Sequence, residues 1–271
     1  MLGAPALPSL ANLRDLGGLP TDDGATTRHG VLLRSEAPAL ASADDAAALA
    51  ARLDGGDIVD LRRPEETEAR PLPAPLRARA RSHLLPFDVV APPHVTDGHL
   101  RSDEVTAADV GRFYAWLAER NVAEIGTLFG LVGAAGRPVL VHCAIGKDRT
   151  GIAVGLMLLA AGVERDAVAA DYARSHEAMR RTLPRHDPEV TPDMIDADVR
   201  MGAPAAVMHA FLDALAARVG GLDTYLAAAD PRGERRTRLR ERLVAVRGEA
   251  AELPSERAPD ERPQGSPGPG R

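Results

Sequence analysis

Val139-Leu140-Val141 is a short, wholly apolar run. It is entered through the breaker Gly136-Arg137-Pro138 and left through a polar loop, His142 to Gly151, into the almost entirely apolar Ile152 to Ala161. A strand apolar at every position is covered on both faces, the condition of a parallel sheet flanked by helices. An apolar helix following it directly must pack deep against that sheet. The chain is therefore expected to be α/β, with a central, mostly parallel sheet flanked by helices.

The flanking pattern agrees. Gly30 to Leu33 reads as a strand, and a helix follows, with Ser42 as N-cap, Asp44 and Asp45 at the positive end of its dipole and Gly55-Gly56 as its stop. Asp57 to Leu61 and, after a Pro- and Arg-rich connector, Ser82 to Phe87 read as further strands. Helices are expected over Thr106 to Arg120 and Val122 to Val132, then through a helical C-terminal half. That half comprises Arg165 to His176, an irregular stretch at Pro184, Pro188 and Pro192, then Ala203 to Arg218, Leu222 to Ala229 and Gly233 to Arg247.

With 271 residues, 45% of them hydrophobic, one substantial core is expected, assigned to a domain over residues 1–247. From Gly248 the residues are mainly Glu, Pro, Ser, Gly and Arg, so 248–271 are expected to form a disordered tail. A formal net charge of -6 argues against a nucleic-acid partner, and any anion binding must be local. No run of about 18 apolar residues suggests stable membrane insertion, and Met1 to Leu10 has no export-signal character, so a cytoplasmic location is the expectation. Oligomeric state is not readable.

Cys143 is the only cysteine and Lys147 the only lysine, in a chain that otherwise draws its positive charge from arginine. One cysteine excludes an internal disulfide or a Cys-only zinc site, leaving a buried apolar side chain or a reactive thiolate. The expected strand, loop and helix favour the second. They converge the backbone N–H groups of Ala144, Ile145, Gly146, Lys147, Asp148 and Arg149 on one point at the positive end of a helix, where a dianion binds and the ionised sulfur is favoured. Cys143 would attack phosphorus, Arg149 would offer its planar fork to two phosphoryl oxygens, and Thr150 would donate its hydroxyl to the departing sulfur.

His142 to Gly151 resembles the loop of the protein tyrosine phosphatase superfamily, His-Cys, five residues, Arg, then Ser or Thr. The run Gly146-Lys147-Asp148-Arg149-Thr150-Gly151 resembles a narrower branch, the atypical bacterial tyrosine and phosphoinositide phosphatases typified by mycobacterial phosphatase B. Asn12 to Gly18, Leu33-Arg34-Ser35, Asp60-Leu61-Arg62, His83 to Phe87 and Asp171-Tyr172 with Ser175 match that branch in order, so the resemblance spans residues 10 to about 246. It implies a cysteine-dependent phosphomonoester hydrolase of tyrosine-phosphatase-like fold, without cofactor or metal, acting on a phosphotyrosyl protein or a phosphoinositide.

The resemblance also associates Lys147 with lipid activity, as a rim ammonium meeting a second phosphate; the alternative is an ordinary surface lysine. For the general acid the order is Asp148, in the loop, then Asp60, at the end of its strand, with Asp88 a solvated third. Asp60 is otherwise a structural partner of Arg62 or Arg149. Arg14 and Asp15 are expected to brace the site as an ion pair, and Val89 to Asp109 to supply a lid. Two other classes are weighed: a catalytically silent phosphate-binding adaptor, against which the complete Cys143, Arg149 and Thr150 set stands, and a rhodanese-like sulfurtransferase, against which Gly146-Lys147-Asp148 stands.

Overall fold

A computed structural model describes residues 7–89 and 104–245. The expected tail from 248 and most of the expected lid lie outside the described residues.

Among the described residues five strands form one sheet: β1 (Arg14–Asp15), β2 (Leu32–Ser35), β3 (Asp57–Asp60), β4 (Arg81–Leu84) and β5 (Val139–His142), in the order β1-β2-β5-β3-β4. β2, β5, β3 and β4 are parallel and only the edge strand β1 is antiparallel. β5 is central, as its uniform apolarity requires. Its side chains alternate between two cores: Val139 and Val141 enter the larger with Leu32 and Val59, and Leu140 enters the smaller with Leu33 and Ile58.

The smaller core is closed by α1 (Ala43–Leu53) and α3 (Ala74–Arg79), through Leu49, Leu53 and Leu76. Ser42 caps α1 by accepting from Asp45 N, as expected. The larger core is covered by α4 (Ala107–Arg120), α5 (Val122–Ala134), α6 (Asp148–Ala160) and α10 (Ala205–Val219). Ile152 to Leu158 of α6 are buried without exception, so this helix is apolar all round because it is surrounded.

The connector between β3 and β4 carries α2 (Pro64–Ala69) as well as α3, neither of them expected. Its cue was present in Pro64-Glu65-Glu66: proline at N1 and acids in the first turn begin a helix. α7 (Arg165–Ala173) is followed by α8 (Ser175–His186), which continues ten residues past the expected end and holds Pro184 inside it. Pro184 is only two residues before the end of α8, so the missing hydrogen bond falls in its last turn. α9 (Pro192–Ala197) starts with a proline at N1, and α11 (Leu222–Ala229) and α12 (Glu234–Leu243) complete the helical half. Among the described residues no single helix is long and apolar enough to cross a membrane.

Candidate active site

Strand register aligns Ser35, Asp60 and His142 across β2, β3 and β5, so the residues after each emerge together at the carboxyl edge of the sheet, where α/β folds bind their ligands. Cys143 follows His142 there and is buried. His142 is itself fully buried; burial lowers its pKa and outweighs the Asp60 charge, so the ring is neutral. Its Nδ1 lies 3.0 Å from the Cys143 carbonyl oxygen. A carbonyl only accepts, so Nδ1 carries the proton and the Cys143 carbonyl is held away from the loop interior.

The other loop carbonyls are held outward in the same way. Asn12 Nδ2 donates to Ile145 O at 3.1 Å and to Gly146 O at 3.0 Å, Arg34 donates to Gly146 O at 2.8 Å, and Ala37 N donates to Ala144 O at 2.9 Å. With the carbonyls engaged outside, the N–H groups from Ile145 to Arg149 have no acceptor among the described residues and form a cradle for an anion. Gly146 turns the loop at φ +72°, and a Cβ there would lie 2.4 Å from Ser35 O, so both conformation and space call for glycine. Asp148 opens α6, whose positive end completes the cradle.

Arg14 and Arg34 are held by Asp171, not by Asp15. Asp171 is buried and takes Arg14 Nε at 2.7 Å and Arg34 Nη1 at 2.7 Å. This corrects the expected Arg14–Asp15 pair: the two lie next to each other on a strand and point to opposite faces. Asp15 instead accepts from Gly17 N at 2.8 Å and Gly30 N at 2.7 Å. Burial and the neighbouring Arg34 charge pull the Arg14 pKa down to about 10 despite Asp171. Two guanidiniums this close require the carboxylate between them. Asp171→Asn is expected to cost about 3 kcal/mol, as uncompensated buried charge does. Urea denaturation measures this, and a loss below about 1 kcal/mol would show that the arginines are satisfied without the charge.

Asp60 has its oxygens engaged by its neighbours. It is buried and takes Arg62 Nε at 2.9 Å, Arg62 Nη2 at 2.7 Å and Thr67 Oγ1 at 3.2 Å. Burial raises its pKa, but the Arg62 bonds outweigh that and keep it below the usual range. The candidate acid Asp60 is thus an anchor for Arg62. Asp88 lies at the surface and pairs with Arg120.

Arg149 finds a partner that sequence reading missed. Glu66 of α2 takes Arg149 Nη1 at 2.7 Å and Nη2 at 2.8 Å, end-on to the fork. Those bonds pull the Glu66 pKa down to about 2. Burial opposes the Arg149 charge, yet the Glu66 bonds and the charges of Cys143, Glu66 and Asp148 hold its pKa above the ordinary value. The Nε–H and Nη2–H side of the guanidinium is left for two oxygens of a ligand. Thr150 Oγ1 is buried with no partner among the described residues, so its hydroxyl is uncommitted.

Lys147 is not at the rim. Its side chain is 2% exposed, and Nζ donates to Asp148 Oδ1 at 2.7 Å, Arg200 O at 2.9 Å and Tyr114 OH at 3.4 Å. The rim ammonium expected there is corrected: an ammonium can be buried only where its three donors find acceptors, and here they do. Asp148, with 37% of its side chain exposed, faces the open side. Burial works to raise its pKa, but Lys147 and the Tyr114 hydrogen bond outweigh that and hold it low.

A cysteine in an N–H cradle, an arginine fork beside it and a carboxylate at the mouth are the parts of a thiol-dependent phosphoryl-transfer site. The model of the tyrosine phosphatase family matches residues 5–245, and the chain belongs to that family. It is 31% identical to the triple specificity protein phosphatase PtpB of Mycobacterium tuberculosis, over 82% of this chain and 92% of the relative. It is 35% identical to a putative tyrosine-protein phosphatase of Cupriavidus necator, over 64% of this chain and 63% of that relative. The protein is a cysteine-dependent phosphatase, and neither the adaptor nor the sulfurtransferase reading is favoured.

Proposed function

We propose that this phosphatase hydrolyses phosphotyrosyl proteins through Cys143, and the observation that carries the reading is the outward anchoring of the loop carbonyls around that sulfur. The N–H cradle of Ile145 to Arg149 receives the phosphoryl group and Arg149 spans two of its oxygens. The Cys143 thiolate forms the S–P bond as the P–O bond to the leaving group breaks, and Asp148 gives that oxygen its proton. In the second step water attacks phosphorus, Asp148 takes a proton from it, and the S–P bond breaks with Thr150 donating to sulfur.

The printed name of the mycobacterial relative supports protein substrates. Burial of Lys147 removes the rim charge that would favour a second ring phosphate, so phosphotyrosine ranks ahead of a phosphoinositide. Rapid quenching with a phosphotyrosyl peptide, followed by digestion, is expected to find a phosphoryl adduct on the segment containing Cys143. Burst-free turnover with no adduct would overturn the reading. Monophosphorylated inositides assayed alongside are expected to turn over more slowly.

The acid assignment has its own signature. A carboxyl held low is protonated only below neutrality, so kcat/KM should fall as pH rises from the acidic side. Asp148→Asn is expected to flatten that alkaline limb and lower kcat about 10²-fold, more for an alkyl than for an aryl phosphate because the poorer leaving group needs the proton more. An unchanged pH–rate profile would remove Asp148 from the role.

A further inference from the structure

Asp148 is held on one side only. Lys147 Nζ reaches its Oδ1 at 2.7 Å, and the Tyr114 hydroxyl donates to the same oxygen. Among the described residues Oδ2 has no protein partner.

Tyr114 comes from the middle of α4 and is buried, its ring edge-on to Tyr172 with centroids 6.3 Å apart and to Phe211 at 6.1 Å. Its hydroxyl lies 3.0 Å from that of Tyr172. Burial and then the Asp148 charge hold the Tyr114 pKa well above its ordinary value, so the phenol keeps its proton. That single proton goes to the strongest acceptor, the carboxylate. Tyr172 therefore donates to the Tyr114 oxygen, whose other lone pair faces Lys147 Nζ at 3.4 Å. Every hydroxyl in the relay has one assigned direction, and the Lys147 ammonium is seated by Arg200 O as well.

We propose that Tyr114 is a positioning residue for catalysis: backed by Tyr172 and joined by Lys147, it clamps Asp148 Oδ1 so that Oδ2 alone carries the proton to and from the reacting oxygen. Tyr114 touches neither phosphoryl group nor leaving group and acts through Asp148, so the proposal rests on the acid assignment above. A carboxylate with one oxygen fixed loses its rotational freedom before the reaction, which is where orientation gains rate. The geometry also gives buried Lys147 a use: it completes the clamp.

The test is Tyr114→Phe in the full chain, with phosphotyrosyl peptide and an alkyl phosphate as substrates. The variant keeps the ring and loses the hydroxyl, so kcat is expected to fall about tenfold with KM nearly unchanged. The alkaline limb of kcat/KM is expected to move to higher pH, because a contact that holds Asp148 low is gone. Tyr172→Phe, one hydroxyl further back, should move both in the same direction by less. Phe211→Leu loosens the same packing without touching a hydroxyl and should lower the melting temperature while leaving the limb in place.

In the Asp148→Asn background, Tyr114→Phe should have no further effect on kcat. If Asp148→Asn flattens the limb but Tyr114→Phe moves neither limb nor kcat, the clamp is overturned and the acid stands. If Asp148→Asn leaves the limb intact, the acid assignment fails and takes the clamp with it.

Discussion

Cys143→Ser is expected to lower turnover of an aryl phosphate by about 10⁶-fold, the order that removing an enzyme's nucleophile costs elsewhere. Sulfur and oxygen differ little in size, so the variant should fold and the cradle should survive. A serine hydroxyl in the same seat is a far weaker nucleophile, because it keeps its proton under conditions where the cradle and the helix end favour the ionised sulfur. Binding and chemistry should therefore separate. Calorimetric titration with tungstate should give affinity close to that of the parent while kcat collapses. Turnover at the parental rate would show that the bond to phosphorus is made elsewhere.

The second largest effect is expected at Arg149. Arg149→Lys retains the charge and loses the fork, and kcat should fall about 10³-fold, as when a transition-state arginine is removed from phosphoryl transfer. The loss should appear in kcat more than in KM, since the two oxygens it spans gain charge as the reaction proceeds. Glu66→Gln tests the bracing of the fork separately. It keeps the shape but replaces one accepting oxygen with an NH2 group, so one of the two bonds now at 2.7 and 2.8 Å is lost, and about a tenfold loss is expected, the worth of one charge-assisted hydrogen bond. Steady-state kinetics on the three proteins decides it. Equal losses for Arg149→Lys and Glu66→Gln would mean that fork geometry depends wholly on Glu66.

The site divides by how far apart in the chain its parts lie. Cys143, Gly146, Arg149 and Thr150 were readable because they occupy a single loop between an apolar strand and an apolar helix, and the backbone of that loop sets where each points. Asp171 and Ser175 were recognised only as matching landmarks; their use is visible once Asp171 lies between Arg14 and Arg34 and Ser175, at the start of α8, accepts from Arg14. Lys147 was read in the right place and given the wrong neighbourhood, because burial is decided by Tyr114 and Arg200, which arrive from helical and loop segments before and after it. Glu66 went unread inside a connector whose helix was not expected, 83 positions before the arginine it holds.

The sequence by itself determined the sheet's central strand, the anion loop and its nucleophile, since these follow from periodicity, a glycine turn and residue chemistry within a few consecutive positions. Only the tertiary structure decided which carboxylate has both oxygens engaged and which keeps one open. Asp60 and Asp148 are alike as residues; Asp60 has both oxygens occupied by Arg62 and Thr67, and Asp148 has one oxygen clamped and the other open. A carboxylate's role depends on what fills its lone pairs, and in this protein those partners are supplied as much by packing between distant elements as by sequence neighbours.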